Sequence, residues 1–192
     1  MKQVASKKAA AQRAVTWTER VAAARAGSVS FPQRTGASPR ETMLFEMARA
    51  RTAVLAAVQG LLPGSAEQPH AAGKWNTRQH VLHLASCDEV ARVDLDPAER
   101  GELPPGAFHT QEDDDRVNAG TLERLGHLPW DEALRMLHAA RRQLLERVEA
   151  LDPSAPYWAD AAHIVCRILS SVALHDRHHA DAIKRWRTES KT

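Results

Sequence analysis

The chain predicts an all-α protein: a four-helix bundle with one long connection, preceded by a basic N-terminal extension. Three observations carry that expectation. Only 5% of the 192 residues are aromatic, while Ala, Leu, Arg and Glu, the strong helix formers, recur throughout. Apolar residues return at steps of three and four in four stretches of roughly 20 to 27 residues, the period of a helix with one buried face. The charge is uneven along the chain. Lys2, Lys7, Lys8, Arg13, Arg20, Arg25 and Arg34 stand against Glu19 alone in residues 1–37, a net of +6, and since the whole chain is +2 the remainder is −4. Residues 1–37 therefore read as a flexible or loosely helical extension, similar in composition to a transit peptide. Residues 38–192 are long enough for one well-filled core and short for two.

The first helix opens at Ser38-Pro39-Arg40-Glu41. Ser38 can cap the free amides, Pro39 suits the first helical position, and Glu41 completes a capping box. Met43, Met47, Ala50, Val54, Val58 and Leu61 form its stripe, and the spacing predicts a helix to about Leu62, where Pro63-Gly64 stops it. A second helix starts at Asn76 or Thr77, both good caps, and carries Val81, Leu82, Leu84 and Val90 to a stop at Asp96-Pro97. Pro97 to Asp115 reads as a long polar connection, a crossover or a lid. Its acidic run Glu112-Asp113-Asp114-Asp115 lacks the spaced ligands and the glycine of a calcium loop and reads as solvated surface. The third helix begins near Pro129, with Leu134, Leu137, Leu144, Val148 and Leu151 inward, and Asp152-Pro153 ends it. The fourth, from about Ala161 to Arg187, sets Ile164, Ile168, Ser171, His175, His179, Ile183 and Trp186 on one face. Four such helices with one long connection describe a bundle.

Several functions are disfavoured at once. No stretch approaches the roughly 18 to 20 apolar residues of a membrane span. An acidic body offers no basic face for nucleic acid. Cys87 and Cys166, without an apolar signal run, read as free thiols in a reducing, cytoplasmic compartment. Cys87 reads as a small buried residue, placed one turn from His83 and so open to a role as a ligand or reactive thiol, while Cys166, more than three helical turns before His179, reads as remote from that face.

The chain holds 10 histidines, and the informative ones fall on buried faces. His175 and His179 are four apart within an apolar stripe, so their imidazoles project side by side and can grip one ion. A third ligand must come from another helix, and His83, between Leu82 and Leu84, is the leading candidate. Three imidazoles would leave positions open for water or substrate, the arrangement of a catalytic metal. The bland alternative is a set of hydrogen-bonded core histidines, though two uncompensated imidazoles in a core cost desolvation. His175-Asp176-Arg177-His178-His179 also matches the zinc-protease pattern H-E-x-x-H superficially, but Asp176 is a methylene too short for the general base. A di-iron centre would want two Glu-x-x-His pairs. Arg141 occupies a stripe position, to be explained by an outward-snorkelling side chain or by contact with an anionic substrate. Asp88, Glu89 and Asp176 read as surface charges that could alternatively orient an imidazole or accept a proton. Trp75, Trp130 and Trp186 read as core anchors, and Trp186 could floor a pocket.

The segment Lys74-Trp75-Asn76-Thr77-Arg78-Gln79-His80-Val81-Leu82-His83-Leu84-Ala85 resembles the W-S-x-x-x-x-x-x-H-L signature of the DinB/YfiT-like superfamily. His175-Asp176-Arg177-His178-His179-Ala180-Asp181-Ala182-Ile183 resembles its second motif, H-x-x-x-H. Asn76 replaces the usual Ser and keeps the capping ability. The resemblance spans Ser38 to about Trp186. It implies a bundle with a three-histidine divalent metal site, zinc or nickel first and iron or manganese as alternatives, with His83, His175 and His179 as ligands. His80 lies outside the pattern and reads as a flanking surface histidine, with proton shuttle or alternative ligand as its other roles. The resemblance further implies a homodimer and a small-molecule substrate. The expected activity is transfer to or from a low-molecular-weight thiol such as bacillithiol or mycothiol, ahead of hydrolysis. A non-catalytic metal-binding or scaffold protein of the stress response is the alternative.

Overall fold

The computed structural model describes residues 31–105 and 111–190. Most of the basic extension lies outside the described residues, and the described residues form helices and turns with one isolated bridge, Pro69 to Asn76, and no strand. The helices are α1 (Pro39–Val58), α2 (Pro63–Ala66), α3 (Thr77–Glu99), α4 (Gln111–Leu125), α5 (Trp130–Glu149) and α6 (Ile164–Glu189), with a 3-10 turn at Pro156–Ala159 before α6. The long ones, α1, α3, α5 and α6, run 20, 23, 20 and 26 residues and form the bundle. None of the helices is long and apolar enough to cross a membrane.

Both N-terminal caps form as the residue types require. Ser38 Oγ accepts from the Glu41 amide and Glu41 returns a carboxylate oxygen to the Ser38 amide. At α3 the cap is Asn76, reciprocated by Gln79. Each box satisfies two of the amides that a helix start leaves open.

Cross-helix hydrogen bonds fix the directions. Arg51 meets Asp176 while Arg187 reaches the Ala57 and Gln59 carbonyls, so α1 and α6 run parallel. Arg78 meets the Leu128 carbonyl and Arg147 meets Asp96 and Glu99, so α3 and α5 also run parallel. The pairing of His80 with His179 and of His83 with His175 sets α3 antiparallel to α6. Consecutive bundle helices α3 and α5 can be parallel only if the chain travels back the length of the bundle between them. That is the physical role of the long connection, and α4 supplies most of the return.

Several boundaries differ from expectation. Helix α1 ends at Val58, not Leu62, because Gly60 adopts φ 72°, the left-handed conformation that closes a helix, and Pro63 opens the short α2 instead of stopping α1. Helix α3 continues past Pro97 to Glu99, since Ala98 is drawn fully into the core and the Arg100 amide closes the last turn on Pro97. Val90 is exposed, and the buried stripe of α3 runs instead through Asp88, Ala91 and Leu95. The acidic run is not loop: Glu112, Asp113 and Asp114 form the first turn of α4, where the helix dipole favours negative charge. At the start of α6 the stripe is shifted by one residue, so that Val165 and Leu169 are buried and Ile164 and Ile168 only partly. Packing also begins before Ser38. Phe31 lies against the apolar cluster under the Arg177 guanidinium, and Arg34 covers the Phe45 ring.

Candidate metal centre

The site is built on α3 and α6. Four-residue spacing on α6 stacks His175 over His179, with ring centroids 4.5 Å apart, and the antiparallel crossing brings His83 of α3 onto the pair. The ligating nitrogens of the three rings lie within 4.8 Å of one another, and all three residues are buried. His175 Nε2 is 2.9 Å from His83 Nε2 and 2.8 Å from His179 Nε2. Burial holds the imidazoles neutral: His83 is pushed down to about 4, and His175 and His179 well below the usual histidine range.

This donor set fits a divalent cation. A single ring nitrogen, His175 Nε2, faces two others and carries either one proton or one lone pair, so it cannot serve both contacts well as hydrogen bonds. Nitrogens that share one ion at about 2.1 Å stand roughly 3 to 3.5 Å apart, so the contacts of 2.9 and 2.8 Å lie at the close edge of that range. His80 completes the arrangement. It is not a surface histidine: burial lowers it to about 3, and its Nδ1 sits 2.8 Å from His179 Nδ1. With His179 donating through Nδ1 to His80, the His179 Nε2 lone pair is left for an ion, the task that an outer partner performs for a ligating imidazole.

A cavity of about 750 Å³ opens on the cluster, lined among others by His70, Trp75, His80 and Trp186. Trp186 therefore floors a pocket as well as anchoring the core, stacking on His70 with centroids 4.7 Å apart. Trp75 is only half-buried and is a wall of the site more than a core anchor: its ring stands edge-on to His83 at 4.9 Å. Exposed Lys74 and Arg185 bring positive charge to the same cavity, Asp115 and Glu189 negative charge. Cys87 Sγ lies 3.8 Å from both His83 nitrogens, outside the three-nitrogen group, and burial followed by the charge of Asp88 and Asp176 pushes its thiol far up. Cys166 is buried away from the site and donates to the Tyr157 carbonyl.

The charged candidates need correction. Arg141 does not snorkel outward, and Asp88 and Asp176 are not surface charges; all three are buried together with Arg51. Arg141 donates to both Asp88 oxygens at 2.9 and 2.8 Å and to Asp176 at 3.0 Å. Arg51 donates to Asp88 at 2.7 Å and Asp176 at 3.1 Å. Burial raises the Asp176 carboxyl against the opposing pull of Arg51 and Arg141. Glu89 alone of the three acids is exposed. Arg51 was missed, although it shares the signal that singled out Arg141: a cation between Met47, Ala50 and Val54 on an apolar face.

A model of the DinB superfamily matches residues 46–183, and the match takes in all three histidines and the four buried charges. The chain belongs to the DinB superfamily. Two solved structures show the same fold. An uncharacterised protein from Escherichia coli UTI89 superposes with a TM-score of 0.61 at 9% identity, over 79% of this chain and 94% of its own. TT2238, described as a four-helix bundle protein, superposes with a TM-score of 0.51 at 20% identity, over 76% and 98%. No curated protein matches the sequence. As a DinB-superfamily bundle, the chain carries its histidine cluster at the open junction of α3 and α6.

Proposed function

We propose that this DinB-superfamily protein is a divalent-metal-dependent enzyme acting on a small molecule, with thiol transfer favoured over hydrolysis. The observation that carries the reading is the opening of the three-imidazole cluster into a cavity of about 750 Å³, a volume suited to a small substrate. A purely structural ion would be sealed on all sides. His83, His175 and His179 would hold zinc or nickel, with iron next, because imidazole suits these metals; manganese, which prefers oxygen donors, is the weakest alternative. Such an ion supplies Lewis acidity and lowers the pKa of a water or thiol that reaches it. Three neutral donors would leave its charge uncompensated, which stabilises a bound thiolate and a bound hydroxide alike; the preference for thiol transfer comes from the family resemblance. The protein's own groups do the rest: Trp75 and Trp186 wall the cavity and exclude water, and His80 fixes the His179 tautomer.

The test has two stages. Metal analysis of the purified protein should show stoichiometric divalent metal that is lost in His83→Ala, His175→Ala and His179→Ala. The same substoichiometric metal in wild type and all three variants defeats the metal centre. The loaded protein is then screened with electrophiles and several low-molecular-weight thiols, where thiol-dependent consumption abolished by His175→Ala is expected. Uniform inactivity of a fully loaded site returns the protein to the non-catalytic, metal-binding alternative.

A further inference from the structure

The bundle does not enclose one continuous apolar core. One cluster includes Met47, Ala50, Leu95, Leu144 and Leu169, another Val54, Leu82, Leu137 and Ile183. The layer of charge falls between them on every helix. Arg51 sits between Ala50 and Val54 on α1, Asp88 between Ala85 and Ala91 on α3, Arg141 between Ala140 and Leu144 on α5, and Asp176 between Ala173 and Ala180 on α6. Each bundle helix gives one charge, the signs alternate, and the sum is zero. The flanking alanines leave the room that two guanidinium groups need.

The connectivity is specific. Asp88 and Asp176 stand on the two helices that carry the histidines, and both arginines come from the two helices that do not. Each arginine bonds both aspartates: Arg51 at 2.7 and 3.1 Å, Arg141 at 2.8 and 3.0 Å. Helices α3 and α6 are therefore tied to each other twice, from opposite sides, by planar two-armed groups that match carboxylates in geometry. Apolar packing alone tolerates a slip along the axis, because a leucine that leaves one alanine finds another. Four buried charges do not, because a slipped helix strands them without partners. The register matters at the histidines. Asp176 directly follows His175, and a one-turn slip of about 5.4 Å is larger than the 4.8 Å within which the three ligating nitrogens lie.

We propose that the Arg51–Asp88–Arg141–Asp176 ring is the register lock of the metal centre. Arg51 and Arg141 are positioning residues that hold α3 and α6 at the offset where His83 meets His175 and His179. This rests on the reading that those three histidines bind a metal. The experiment loads the full chain with Co²⁺, whose visible absorption reports its coordination, and titrates the Kd for wild type, Arg141→Met, Asp88→Asn and Leu95→Ala. Leu95 is fully buried and lies on α3 twelve residues from His83, about 18 Å along the helix. Arg141→Met and Asp88→Asn should bind Co²⁺ about 10- to 100-fold more weakly with an altered spectrum. Leu95→Ala should lose melting temperature yet keep the wild-type Kd and spectrum, which separates positioning from general stability. Should Arg141→Met not fold, Asp88→Asn, which keeps the shape of the side chain, carries the test. Ring variants indistinguishable from wild type, or Leu95→Ala weakened as much as they are, overturn the lock. A wild type that binds no Co²⁺ overturns the metal centre and the lock with it, so the two failures are told apart by the wild-type titration.

Discussion

Acidifying the metal-free protein should destabilise it, and His83 sets the scale. In the unfolded chain this imidazole takes a proton near the usual histidine value of 6.5; in the folded protein burial delays that to about 4. Above 6.5 both states are neutral and the group adds no slope. As pH falls between the two values the unfolded state holds more protons, so stability falls, and below about 4 the loss is complete. The full interval amounts to about 3 kcal/mol, and about 2 kcal/mol of it is gone by pH 5. That is a large share of a typical stability of about 5–15 kcal/mol. His80, His175 and His179 are lowered in the same direction, so they add to the His83 slope. The assay is urea unfolding after chelation at pH 7.5, 6.5, 5.5 and 5. With a slope of about 2 kcal/mol per molar, the midpoint should drop by about 1 M or more. The window stops at pH 5 because Glu41, Glu102 and Asp152, held low by hydrogen bonds, add acid sensitivity of their own further down. His83→Gln should flatten the slope. Metal-loaded protein should resist acid until the ion leaves, because ligating imidazoles must be deprotonated. A midpoint that stays level or rises from pH 7.5 to 5 would refute the claim that buried neutral imidazoles form this site.

Three further outcomes are expected. Asp88→Leu alone should cost about 3–5 kcal/mol in urea unfolding, because it leaves two buried guanidinium groups with Asp176 as their one shared carboxylate, whereas replacing all four ring members with apolar residues should be neutral or stabilising; a quadruple variant that loses the sum of the single effects contradicts this. Phe31→Ala should cost about 1 kcal/mol, since the ring is only partly buried against the core, and so a chain trimmed to Ser38 should melt below one that begins at Phe31. Cys87, with its thiol pushed far up, should resist alkylation at pH 7.5 by mass spectrometry, and Cys87→Ser should leave metal content unchanged.

What could be read from the sequence followed from how each signal is encoded. Helix positions and the His175–His179 pair are local, set by caps and by a period of three to four, so residue types alone reveal them. His83 needed a partner helix, yet its place between Leu82 and Leu84 marked it as inward. Boundaries that rest on one residue's conformation were harder: Gly60 ends α1 three positions before Pro63, and nothing in the composition separates it from an ordinary glycine. The charged ring was the deepest miss. Arg141 and Asp176 were each weighed alone, and a lone charge on a buried face is most cheaply explained by turning it outward. Only when four such residues, Arg51 among them, come from four helices to one level do they satisfy one another. The role of His80 is hidden in the same way, because its partner His179 lies 99 positions away.

The ring also bears on the chemistry of the centre. Asp88 and Asp176 sit within about a turn and a half of His83 and His175 in sequence, near enough that carboxylates of this kind commonly complete or orient a metal site. Here their hydrogen bonds run to Arg51 and Arg141, and neither joins the group of converging ligand atoms. Two anions that could have neutralised a cation are neutralised by guanidinium instead. The candidate ligands stay three neutral imidazoles, so that a divalent ion held by them would present its full charge to the cavity. A carboxylate ligand would have lowered that charge by one and weakened its hold on an incoming anion. The same four residues proposed to set the helix register would therefore also keep the centre electron-poor, a property that stabilises a bound thiolate or hydroxide.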